Sequence, residues 1–89
     1  MNTSLTFESL STEWSRTDSE GLVRVIPSNG FRASFGIVAR ISQISDDDEY
    51  YPELVMTHDT VVVKIDDHDE PRALMLASRI DELLDETHA

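Results

Sequence analysis

No cysteine occurs in this chain, so a fold of its size has no disulfide framework, no thiolate metal site and no thiol nucleophile to rely on. Its 89 residues make one small domain, and at that length roughly 60–65% of the unfolded chain's surface can be buried on folding. A thin core must therefore come from packing, with oligomerisation as its natural supplement. Hydrophobic residues at 39% and charged residues at 28% give a globular composition and exclude collagen-like, low-complexity and fully disordered chains. The first fifteen residues carry no Lys or Arg, and no apolar run is long enough for a signal peptide or a membrane span. A cytoplasmic protein is the expectation.

The net charge of -11 is unevenly placed: residues 1–45 hold four acids and four bases, and residues 46–89 hold fourteen acids and three bases. Such a surface repels phosphates, so nucleic acid and anionic membranes are not expected as partners. A basic protein surface fits better. The plain alternative is a solvated surface that keeps a small domain soluble.

Along the chain, Met1 to Ser11 reads as a flexible arm and residues 12–87 as a single domain. Thr12 to Thr17 and the β-branched run Leu22 to Ile26 suggest a hairpin about Asp18-Ser19-Glu20-Gly21. From about Asn29 to Ser45, Phe31, Phe35, Ile37, Val38, Ile41 and Ile44 share half of a helical wheel, which predicts an amphipathic helix with this stripe in the core. Arg32, Gly36, Arg40 and Gln43 occupy the other half. An acidic loop, Asp46 to Glu49, leads into Tyr50-Tyr51-Pro52, where the chain turns. Leu54 to Thr57 and Thr60 to Asp66 form a second hairpin about His58-Asp59, with Val61, Val63 and Ile65 on one side and Val62 and Lys64 on the other. Asp69 or Glu70 caps a last helix begun by Pro71, whose stripe runs Ala73, Leu76, Ala77, Ile80, Leu83 and Leu84. Leu74 and Met75 fall outside that stripe and are candidates for a partner surface.

The order β-β-α-β-β-α, with Trp14 early and Gly21-Leu22-Val23-Arg24 before a Phe-containing helix, resembles the pterin carbinolamine dehydratase family. The likeness sharpens at Tyr50-Tyr51-Pro52. That family has His-His-Pro here, with an acid four positions before the pair, an aromatic six after the Pro and a third His ten further on. Asp46, Pro52 and His68 match in spacing. Ile80-Asp81-Glu82-Leu83-Leu84 resembles the closing helix, and the likeness covers about residues 12–86. It implies an α+β fold, a four-stranded antiparallel sheet with two helices packed on one face.

The departures fall on the chemistry. Tyr50 and Tyr51 replace the paired histidines, His58 replaces the aromatic, Ala73 replaces an acid of the last helix, and the segment after His68 is shortened. The family eliminates water from a hydroxylated pterin, which needs one group to take a ring proton and another to protonate the leaving hydroxyl. Histidine, with a pKa near ~6.5, serves both roles, whereas a phenol at about 10 is only ~0.1% ionised at neutral pH, a handicap of about 4 kcal/mol as a base. Tyrosine instead offers an apolar face with a hydroxyl handle and few rotatable bonds, suited to an interface anchor or to plugging a vestigial cleft.

Short and acidic, the chain resembles an active-site-degenerate branch of that family, the RuBisCO assembly factors of the alpha-carboxysome. The resemblance implies a chaperone with no catalytic residues, Tyr50, Tyr51, Pro52 and His68 marking the vestigial site. RuBisCO subunits are the implied partners, association with the carboxysome is implied, and the protomer is expected to pair into a homodimer through a sheet edge. The protein-binding candidates are Tyr50, Tyr51, Asp46, Asp47, Asp48, Leu74 and Met75. No cofactor is expected. No metal is either, since neither acidic run has an EF-hand pattern. The rival readings are a working dehydratase using His68 with Tyr50 or Tyr51, and a dimeric protein-binding adaptor.

Overall fold

The computed structural model describes residues 5–87. After a 3-10 turn at Phe7–Ser9 the elements are β1 (Ser15–Thr17), β2 (Gly21–Pro27), α1 (Phe31–Asp48), β3 (Glu53–Met56), β4 (Thr60–Ile65) and α2 (Glu70–Thr87). The strands form one antiparallel sheet in the order β1-β2-β4-β3. This is the expected architecture, with element ends shifted by a few residues.

Alternation sets the sheet's two faces. Leu22 and Ile26 on β2 and Val61, Val63 and Ile65 on β4 are buried beneath the helices, while Val25 and Val55 on the opposite face are 51% and 41% exposed. The register aligns Leu22 with Ile65 and Val25 with Val62, so each face carries one continuous row. The β1–β2 turn ends on Gly21, at φ 76, where a Cβ would collide with the Ile65 carbonyl oxygen. At the other hairpin the Thr57 amide donates to the Thr60 carbonyl at 2.9 Å, and the Thr60 amide donates to Thr57 Oγ1 at 3.0 Å. Asp69 caps α2: its carbonyl accepts from the Ala73 amide at 2.9 Å, and Pro71 lies in the first turn.

Four expectations need correction. The acidic stretch Asp46-Asp47-Asp48 is the last turn of α1, not a loop. Phe31 and Phe35 are 58% and 60% exposed, because the core side of α1 is set by Ser34, Ile41 and Ser45, and the two rings stand on its flank. Ser34 and Ser45 can be buried because their hydroxyls find partners, Ser28 Oγ for one and the Ile41 carbonyl at 2.8 Å for the other. Leu74 is 4% exposed and cannot serve as a partner surface.

The N-terminal segment is the fourth. Residues 1–4 of the expected arm lie outside the described residues, but Leu5 and Phe7 pack on the core, Leu10 is buried, and Leu5 to Glu8 share a hollow with Leu74. Arg16 fastens this segment by lying 5.3 Å from the Phe7 ring centroid while pairing with Glu70 at 2.6 Å. Leu74 faces a hollow that this segment also borders.

Candidate functional site

Glu49 ends α1 in the left-handed conformation, φ 55, with the Tyr50 amide donating to the Ser45 carbonyl at 3.2 Å. The reversal sends the next two side chains opposite ways. Tyr50 turns inward to 8% exposure and Tyr51 outward to 63%. Tyr50 Oη donates to the Asp66 carbonyl at 2.6 Å, its ring stacks on His68 at a centroid separation of 5.6 Å, and the Arg72 guanidinium lies 5.4 Å from the ring centroid. His68 Nδ1 is 3.4 Å from both Tyr50 Oη and Asp66 Oδ1, too far for a strong hydrogen bond. Tyr50 and His68 are thus brought together, and Tyr51 is parted from them.

Both phenols are pushed above the ordinary tyrosine range. For Tyr50 the chief cause is burial, helped by the Asp66 and Asp69 carboxylates against a backbone hydrogen bond at Asp69 and the Arg72 cation. For Tyr51 local desolvation acts first, then the nearby Asp46 and Glu49 carboxylates. Neither is poised to be a base near neutral pH.

Three consecutive carboxylates at the C-terminal end of a helix oppose its dipole. Two arginines of α2 offset them. Arg79 pairs with Asp48 and reaches Asp47 at 3.9 Å, while Arg72 donates to the Asp48 and Glu49 carbonyls at 2.7 and 3.1 Å. Asp48 is therefore committed within the chain, whereas Asp46 stands exposed beside Tyr51. Met75, 49% exposed, borders a separate hollow with Asp48, Pro71 and Arg72.

Tyr51 and Pro52 instead border a polar cleft of about 450 Å³ with Asp18, Glu20, Glu53, Asp66 and Asp67. Its one cation, Lys64, pairs with Glu20 at 3.0 Å, and that hydrogen bond and charge, with Glu53, raise its pKa. The arrangement can receive a guanidinium or ammonium group against an aromatic face. Among the described residues no cluster of three or more His, Asp or Glu is arranged to hold a metal ion. His58 lies apart, in the β3–β4 turn beside Asp59.

The sequence reading passed over one polar cluster. Asp81 of α2 accepts at Oδ1 from Trp14 Nε1 at 2.7 Å and from Arg24, and at Oδ2 from the Ser11 amide at 2.8 Å. The signal was present in β2, where alternation puts Arg24 on the same face as Leu22 and Ile26. A cation there requires an acid from the layer above.

No family model and no curated protein matches the chain. Among solved structures, the crystal structure of a transcriptional coactivator/pterin dehydratase from Brucella melitensis is similar, with TM-score 0.68 and 20% identity over 89% of this chain and 84% of that one. That likeness joins the β-β-α-β-β-α order and the β1-β2-β4-β3 sheet described above, and on those grounds the chain has a pterin dehydratase-like fold.

Proposed function

We propose that this chain is a non-catalytic protein of pterin dehydratase-like fold that acts as a RuBisCO assembly factor in alpha-carboxysome biogenesis, in the cytoplasm and in association with the carboxysome. The observation that carries the loss of catalysis is the Tyr50 hydroxyl. It is buried, raised in pKa and already donating to the Asp66 carbonyl, which leaves His68 as the one imidazole of that cluster. A lone imidazole has lost the arrangement in which two titrating groups divide the acid and base work. The assembly role draws on the sequence resemblance, and the polar cleft beside Tyr51 adds a compatible surface, rich in carboxylates and bordered by an exposed aromatic ring.

Co-expression with RuBisCO large and small subunits tests the role. A higher yield of soluble, assembled enzyme is expected, and an unchanged yield would favour the adaptor reading. A steady-state assay on a carbinolamine pterin tests the dehydratase reading, with turnover no faster than the uncatalysed reaction expected.

A homodimer is part of this proposal, and β3 is the edge that suits it. β1 is three residues long and its Arg16 is tied to Glu70 and Asp67. β3 instead carries the exposed Val55 and lies under α1, whose Phe31 and Phe35 stand uncovered. Sedimentation showing a monomer at all concentrations would remove it.

A further inference from the structure

A mainly apolar hollow lies on the other flank of α1, and the docking reading does not use it. It has a volume of about 300 Å³, the lower end of ligand-sized cavities. Ile26 and Pro27 of β2, Ile37 of α1, and Leu83 and Leu84 of α2 supply its walls, and Arg40 stands at its rim. We propose that this cleft binds a medium-chain aliphatic carboxylate, the hydrocarbon tail between the helices and the carboxylate on Arg40.

Gly36 is the first observation. It sits in the interior of α1, where glycine costs about 1 kcal/mol relative to alanine. The fold does not require it: its φ is not positive, and a Cβ placed there would meet no atom within 4 Å. What the missing side chain does is hold the cleft open, since Gly36 and Ala33 together border it.

Charge is the second. Residues 21–45 contain three arginines and no acid, in a chain of net charge -11. Elsewhere, Arg16, Arg24, Arg79 and Lys64 pair with carboxylates, and Arg72 donates to two carbonyls. Among the described residues Arg32 and Arg40 have no such partner. An apolar recess with an unneutralised guanidinium at its mouth is complementary to an amphiphilic anion. The lining hydroxyl, Ser28 Oγ, is already bonded to Ser34 Oγ, so the interior asks for no polar group.

The test is a titration of ¹⁵N-labelled full-length protein with sodium decanoate and, in parallel, with decanol, both below their aggregation limits. Saturable amide shifts at Ile26, Gly36, Ile37, Arg40, Leu83 and Leu84 are expected. Arg40→Gln is expected to weaken decanoate about fivefold and to leave decanol within about twofold. Gly36→Leu, which fills the cleft, is expected to abolish both, and Ala33→Leu does so by a second route should the first variant misfold. Shifts that never saturate, shifts centred on Phe31 and Phe35, or undiminished binding by both filled variants would overturn the proposal. So would a wild-type dimer that Gly36→Leu dissociates without ligand, which would give the cleft to a second copy of the chain.

Discussion

Trp14 and Asp81 are joined by a 2.7 Å hydrogen bond across 67 residues of sequence, and Arg24 shares the accepting oxygen. Arg24 and Asp81 side chains are only 14% and 16% exposed, so removing the acid strands a cation in the core layer. Asp81→Ala is expected to cost about 3 kcal/mol, a large share of a small domain's stability, and Asp81→Asn less. Urea denaturation followed by the fluorescence of Trp14 measures both.

Alkaline pH should destabilise the protein. Tyr50 and Lys64 both have raised pKa values in the folded state. Above the unfolded pKa values, the unfolded chain releases these protons first and folding loses free energy until the folded groups also titrate. Stability should thus hold through neutral pH and fall from about pH 10 upward. Tyr50→Phe should flatten part of that slope while costing about 1 kcal/mol at pH 7 for the lost bond to the Asp66 carbonyl. An alkaline slope identical in the two proteins would count against the burial of this phenol.

Tyr51 should separate binding from folding. With 63% of its surface exposed, Tyr51→Ala is expected to change stability by no more than about 0.5 kcal/mol. Capture of RuBisCO subunits should fall, and full capture by the variant would move the docking surface elsewhere.

Removing Arg79 leaves Asp48 and Asp47 against the helix dipole with their neutralising partner gone. Arg79→Ala should destabilise by about 1 kcal/mol at low ionic strength and by less in molar salt, since these charges are partly solvated. Thermal melts across a salt series give the difference.

The two glycines bordering clefts should respond in opposite directions. Gly21→Ala meets both a positive φ and the Ile65 carbonyl and is expected to lose more than about 2 kcal/mol. Gly36→Ala meets neither obstacle and should gain up to about 1 kcal/mol. Melting temperatures of the two variants are sufficient.

Much of the fold was legible because alternation and helical periodicity survive in short windows. Val61, Val63 and Ile65 faced the core as their spacing required, and Asp69 capped the last helix. What escaped depended on partners distant in the chain. The wheel of α1 grouped Phe31 with Ile41, but only the position of the sheet decides which part of a broad apolar arc is covered. Leu74 lies off the helical stripe, and its surroundings include the distant Leu5 to Glu8 segment, which local periodicity does not reveal. At the site, the tyrosines standing where the resembled family has histidines were visible in the residues. That Tyr50 would be buried and Tyr51 exposed was not, because it follows from the reversal at Glu49, a residue without the glycine that usually signals one.

α2 is the element to which distant parts are tied: Asp81 holds Ser11, Trp14 and Arg24, while Arg72 and Arg79 hold the end of α1. During synthesis, the strands made earlier have only α1 to cover them, and Arg24 has no counter-ion, until Asp81 and Leu84 of α2 have left the ribosome. The domain should therefore stay open on the translating ribosome and snap shut in a single late step, leaving its β-branched strands in need of protection while the chain is being made.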